Sequence, residues 1–98
     1  MKVLGIDPGI ERLGWGLIEK KDDGIGYLKS GVKKTLKTES QPARLLEIQN
    51  FLEELLARER PEVAAVERLF FSKNAKTALQ VGEVRGVILA AAEKAGVA

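Results

Sequence analysis

Two acidic side chains pose the chemical question. Asp7 lies in GIDPG at residues 5–9, straight after a short, mostly apolar opening, and Glu67 closes VAAVE at residues 63–67. A carboxylate at the edge of an apolar sheet is costly unless something pairs with it. Two carboxylates brought close together repel, and one takes up a proton unless a cation lies between them. Hard oxygen ligands select Mg²⁺ or Mn²⁺. Such ions suit phosphoryl transfer, where they activate a water and stabilise a leaving oxygen. Taken singly, Asp7 reads as a turn cap and Glu67 as a helix-entry acid. Taken together, at the ends of two strands that run the same way, they favour a metal site.

Composition removes the competing chemistries. The chain has 98 residues, enough for one domain with a modest core. It contains no cysteine and no histidine. Disulfide frameworks, thiolate metal sites, imidazole ligands and His-based triads are therefore excluded. There is no signal-peptide pattern and no apolar run of about 18 residues, which predicts a cytoplasmic protein with no membrane partner. The net charge of +2 is unevenly spread. Lys20, Lys21, Lys29, Lys33, Lys34 and Lys37 outweigh Asp22 and Asp23, residues 39–67 are acidic on balance, and Arg68, Lys73 and Lys76 restore positive charge. Two basic stretches around an acidic middle fit a polyanion partner. For residues 20–37 alone, a solvated strand face is the favoured reading.

The elements that must position the two acids follow from patterning. Residues 2–6 read as a central strand, and DPG follows as a turn in which Pro8 fixes φ and Gly9 is free to take a positive one. Residues 13–19 read as a second strand, KDDG at 21–24 as a hairpin turn, and residues 25–36 as a third strand. A helix begins near Ser40, a plausible N-cap, with Pro42 in its first turn. Leu45, Ile48, Leu52 and Leu55 recur at helical spacing until Pro61. VAAVE reads as a strand buried on both faces. A second helix runs from about Asn74 to Lys94 and carries Ala78, Gly82, Gly86 and Ala90 four apart. That small-residue stripe fits either tight packing on the sheet or a close helix–helix contact between two copies. The predicted fold is α/β: a mixed sheet with an antiparallel three-stranded meander, a crossover helix, a fourth strand parallel to the first, then a helix. Parallel neighbours share a direction, so Asp7 and Glu67 emerge at the same carboxyl edge, where open α/β sheets form their sites. Phe70 and Phe71 stand in a basic loop just after Glu67, as aromatics that stack or wedge bases do, although either could serve the core.

These residues resemble a known family. GIDPGIERLGWGLIE at 5–19 and PEVAAVERLFFSKNAKTALQVGEVRGVILAAA at 61–92 closely resemble the RuvC-type Holliday-junction resolvases, and the likeness spans the chain essentially end to end. The resemblance implies an RNase H-like fold over a single domain, 1–98. It implies a structure-selective endonuclease that makes symmetric, metal-dependent nicks in four-way DNA junctions during recombination and repair. By the same resemblance, Asp7 and Glu67 are the first two metal-binding, catalytic acids, with Mg²⁺ the cofactor and Mn²⁺ able to replace it. Phe70 matches the aromatic that stacks on a base at the opened crossover, and Lys73 and Asn74 fall near the scissile phosphate. Arg68 and Lys76 are expected to join the DNA contact. A homodimer and a branch-migration helicase complex are the implied partners. The family pattern also calls for two more acidic (or acid and histidine) residues on a C-terminal helix. After Glu67 the only acids are Glu83 and Glu93, both on the second helix. KAGVA reads as a C-cap at Gly96 followed by the start of another strand, so the chain is expected to be truncated before a fifth strand, with its C-terminal part missing and no activity alone. Rival readings are a YqgF-like nuclease of the same fold acting on RNA, a fragment of an actin- or sugar-kinase-like ATPase, and a non-catalytic DNA-binding or dimerisation module. In the ATPase reading, Ile10 stands where the phosphate loop usually offers Ser or Thr.

Overall fold

A computed structural model describes residues 1–67 and 75–98 of the chain. Strands β1 (Lys2–Asp7), β2 (Arg12–Lys21) and β3 (Gly24–Lys34) are followed by α1 (Gln41–Glu59), β4 (Val63–Val66) and α2 (Ala75–Lys94). The sheet order is β3-β2-β1-β4. The first three strands form an antiparallel meander, and β4 pairs with β1 in parallel. This is the mixed sheet that patterning predicts.

Local chemistry explains the boundaries. Asp22 and Asp23 turn the chain between β2 and β3, and Gly24 follows at φ 140°, a setting L side chains rarely adopt. Ser40 caps α1 by accepting the Ala43 N–H at 3.3 Å, and Pro42 stands in the first turn, where no donor is lost. At the other end Arg60 takes the left-handed conformation, its N–H reaching Leu56 C=O at 2.9 Å, and Pro61 bars any continuation. Gly96 ends α2 at φ 72°, with Val97 N–H on Ala92 C=O and Gly96 N–H on Glu93 C=O. That is the paired-bond glycine cap expected from KAGVA.

Both helices cover one face of the sheet. Leu4, Ile6, Leu13 and Leu17 meet Ile48, Leu52, Leu55 and Leu56 of α1 and Val84, Ile88 and Ala91 of α2 in one buried cluster. Trp15 joins it, tilted against Phe51 with ring centroids 6.4 Å apart. A Cβ at Gly31, Trp15's cross-strand partner, would come within 2.9 Å of the indole, so glycine is needed there. Glu59, 7% exposed, ties the end of α1 to the sheet: Lys29 Nζ donates to its carboxylate at 3.0 Å and Arg58 Nε at 2.9 Å. Lys33 pairs with Glu47 and Lys37 with Glu11. Three lysines of the 20–37 stretch are therefore engaged within the fold, in keeping with a solvated strand face. Among the described residues, no helix is long and apolar enough to cross a membrane.

Two expectations need correction, and one open reading is decided. Among the described residues β4 is an edge strand rather than a strand buried on both faces, and Ala65 is exposed. Gly9 does not take a positive φ. It is glycine because a Cβ would lie 2.3 Å from the Arg12 carbonyl oxygen. The stripe of Ala78, Gly82, Gly86 and Ala90 does not pack on the sheet: all four residues are exposed, and a Cβ at Gly82 or Gly86 would meet nothing within 4 Å.

The hydrogen bonds from Lys29, then from Arg58, hold the Glu59 carboxyl below its ordinary value. A lowered native pKa contributes stability above the unfolded value of about 4.3, and that contribution disappears as pH falls through the native pKa. Glu59→Gln is therefore expected to lower Tm at pH 7, with the gap to the parent narrowing on acidification. A gap constant from pH 7 to pH 3 would contradict this account.

Candidate metal and nucleic-acid site

The two acids meet through strand register. Val3, Leu4, Gly5 and Ile6 of β1 pair in order with Val63, Ala64, Ala65 and Val66 of β4. The Glu67 N–H donates to Ile6 C=O at 3.0 Å, which carries the ladder one residue further. Asp7 and Glu67 are thus neighbours across the parallel pair. Side chains alternate along a strand, so both lie on the face opposite the buried Leu4 and Ile6. Both are exposed.

The ground beside them is bare. Asp7 pairs with Gly14, and Gly5 with Gly16. With Ala65 these residues line a shallow depression of about 360 Å³ that includes both acids. A Cβ at Gly14 would sit 3.6 Å from that of Asp7, an ordinary contact. The fold tolerates a side chain there, and its absence opens the carboxylates to a bulky group.

The turn that leaves Asp7 is held from the side. Thr35, just past β3, donates its N–H to Glu11 C=O at 3.0 Å and its hydroxyl to Ile10 C=O. Arg44 of α1 donates Nε–H to the same Thr35 oxygen at 2.9 Å. Thr35 and Arg44 are both buried. No motif announced them. The available signal was that Arg44 stands four residues before Ile48, in phase with the buried side of α1.

The donor set is two carboxylates with hard oxygens, which fits a divalent cation of the Mg²⁺ or Mn²⁺ kind. Among the described residues there is no cluster of three or more acidic or imidazole side chains. Two carboxylates supply fewer ligands than a six-coordinate ion needs, so water or other groups must complete the shell. Arg68, Phe70, Lys73 and Asn74 lie outside the described residues. Lys76 stands exposed in the first turn of α2.

The chain is similar to known proteins over nearly its whole length. A family model described as crossover junction endodeoxyribonuclease RuvC matches residues 3–98. A relative of that description from Petrotoga mobilis is 48% identical over 94 residues, 96% of this chain and 58% of the relative. Among solved structures, Thermus thermophilus RuvC in complex with Holliday junction substrate is similar at TM-score 0.92 and 39% identity, covering 99% of this chain and 62% of that one. The yeast mitochondrial Holliday junction resolvase Ydc2, 21% identical with TM-score 0.71, covers 94% of this chain and 45% of that one, and shares the fold. The mixed sheet with its helices is thus RNase H-like. The chain spans about 60% of the length of such relatives.

Asp7→Asn is expected to abolish Mn²⁺ binding measured by paramagnetic titration and to leave Tm in the absence of metal equal or higher, because repulsion between the acids is relieved. Undiminished Mn²⁺ affinity in Asp7→Asn would remove Asp7 from the site.

Proposed function

The chain belongs to the RuvC family of crossover junction endodeoxyribonucleases, and from that membership we propose that it forms part of an endonuclease that resolves four-way DNA junctions by metal-dependent phosphodiester hydrolysis. The observation that carries this reading is the register that sets Asp7 beside Glu67 over a floor of glycines. A duplex junction is bulky, and that bare floor lets a phosphodiester approach the two acids.

Asp7 and Glu67 would hold Mg²⁺, with Mn²⁺ able to substitute. When bound, such an ion supplies positive charge that polarises a phosphodiester. The chain's own part is to bind and orient. Phe70 stacks on a base at the opened crossover, an interaction worth about 1–3 kcal/mol per base. Lys73 and Asn74 contact the strand near the scissile phosphate, and Arg68 and Lys76 neutralise backbone charge. The remaining metal ligands would be the two acidic (or acid and histidine) residues of a C-terminal helix that the family pattern calls for. Alongside β4, Ala64 N–H donates to Ala98 C=O at 2.9 Å. Symmetric nicks require two copies, and the outward Gly82 and Gly86 stripe of α2 gives a second α2 a close path of approach. Work beside a branch-migration helicase complex, in the cytoplasm, completes the reading.

The decisive test is cleavage of a labelled four-way junction with Mn²⁺. Residues 1–98 are expected to leave it intact, whereas the chain continued to the length of its relatives makes paired nicks that Asp7→Asn abolishes. Nicks by residues 1–98 would mean that the other ligands are misassigned, with Glu83 the first to re-examine. Preference for an RNA duplex or binding of ATP in parallel assays would replace the resolvase reading.

Gly82→Leu is expected to turn the dimer into a monomer by size exclusion with light scattering, since overfilling a close contact costs about 1–3 kcal/mol. Cooperative unfolding is retained, because nothing in the described fold occupies the space that the new side chain would fill. A dimer that survives assigns the interface elsewhere.

A further inference from the structure

We propose that Thr35, oriented by Arg44, is a positioning residue that clamps the 8–11 turn and so fixes the Asp7 carboxylate for catalysis. The catalytic part of this proposal rests on the junction-cleaving reading above; the clamp itself does not.

Two hydrogen bonds from Thr35 reach one short turn, and a third, from Arg44, orients Thr35. Thr35 N–H donates to Glu11 C=O at 3.0 Å, the Thr35 hydroxyl donates to Ile10 C=O, and Arg44 Nε–H donates to the Thr35 oxygen at 2.9 Å. The direction of the relay is fixed by chemistry. A guanidinium can only donate, so the Thr35 oxygen must accept from Arg44, and its single hydrogen is left for Ile10. Successive bonds of this kind polarise and strengthen one another.

The placement of these groups is costly unless it serves that turn. Thr35 is 5% exposed and Arg44 8%. Arg44 occupies the buried side of α1 ahead of Ile48, Leu52 and Leu55, where a leucine would pack without desolvating a charge. Valine would fill the place of Thr35 with the same shape. What valine and leucine cannot supply are the hydroxyl that holds Ile10 and the N–H that orients that hydroxyl. The clamped segment has no slack of its own: Pro8 is buried, and Gly9 passes so near Arg12 that a Cβ would lie 2.3 Å from its carbonyl oxygen. Asp7 is the residue on which this segment begins. On the carboxyl side it has one strand end and this turn to hold it, so the turn's position sets the carboxylate's.

The experiment uses the protein continued to the length of its relatives and compares Thr35→Val, Thr35→Ser and Arg44→Leu with the parent and Asp7→Asn. The first readout is amide hydrogen exchange of a peptide spanning the 8–11 turn. Exchange is expected to quicken in Thr35→Val and Arg44→Leu and to stay near the parent's in Thr35→Ser, while peptides from the middle of α1 remain protected in all three. The second is junction cleavage. Thr35→Val and Arg44→Leu are expected to lose about 10- to 100-fold in kcat with KM within about threefold, and Thr35→Ser to recover most of the rate. Unchanged exchange in the turn for Thr35→Val and Arg44→Leu overturns the clamp. Quickened exchange with an unchanged kcat overturns the positioning role. Loss of rate and of Tm in Thr35→Ser with Thr35→Val near the parent overturns both, since the methyl group and packing would then be what matters. Should Thr35→Val fail to fold, Arg44→Leu against the parent decides by the same readouts. If Asp7→Asn cuts at the parent's rate, the assignment of the site fails instead, and the exchange measurement still judges the clamp.

Discussion

The parallel pairing of β1 with β4 is the constraint on which the rest depends. It is short, because β4 has four residues, Val63–Val66. Its register is nonetheless strict. Shifting either strand by one residue would turn its outward acid toward the core and bring core residues to the surface. Several contacts hold the start of the pair: Pro61 is buried, Glu62 N–H donates to Lys2 C=O at 2.9 Å, and Lys2 Nζ reaches Glu59 C=O at 2.9 Å. The far end is then positioned by counting along the pleat, and Asp7 and Glu67 arrive together.

The two faces of the sheet divide the work. One carries Leu4, Ile6, Leu13, Trp15 and Leu17 under both helices and supplies the hydrophobic stabilisation. The other carries Gly5, Gly14, Gly16, Ala65 and the two acids. Glycine in a strand interior weakens the strand, through both entropy and lost packing. Three glycines together beside a carboxylate pair therefore make sense as an approach surface, and the dense packing of the opposite face offsets their cost. The polar contacts follow the same division. Glu59 and its cations tie α1 to the sheet at one end, and Arg44 with Thr35 ties it to the Asp7 turn at the other.

Much of this was legible in the residues. The order of elements followed from strand alternation, from helical spacing in Ile48, Leu52 and Leu55, and from Ser40, Pro61 and Gly96 at the boundaries. These are local signals, because capping, φ restriction and periodicity act within a few residues. The carboxyl-edge placement of Asp7 and Glu67 followed from one further step, the handedness of a crossover connection. The likeness to resolvases rested on two extended blocks, and the match over residues 3–98 agrees with it.

What only the tertiary structure decided are relations between segments far apart in the chain. Gly9 reads as a turn glycine in isolation; the nearness of the Arg12 carbonyl gives the actual reason. The stripe of Gly82 and Gly86 had two equal readings, and only the packing of Val84, Ile88 and Ala91 inward turns it outward. Thr35 and Arg44 belong to no motif, and their joint hold on the Asp7 turn exists because α1 folds back across the end of β3. The sequence by itself determined which residues could do chemistry and which elements carry them, since propensity and pattern are local. Tertiary structure alone decided which of those elements share a face and which polar groups meet there, since burial and hydrogen bonding depend on neighbours that no local pattern specifies.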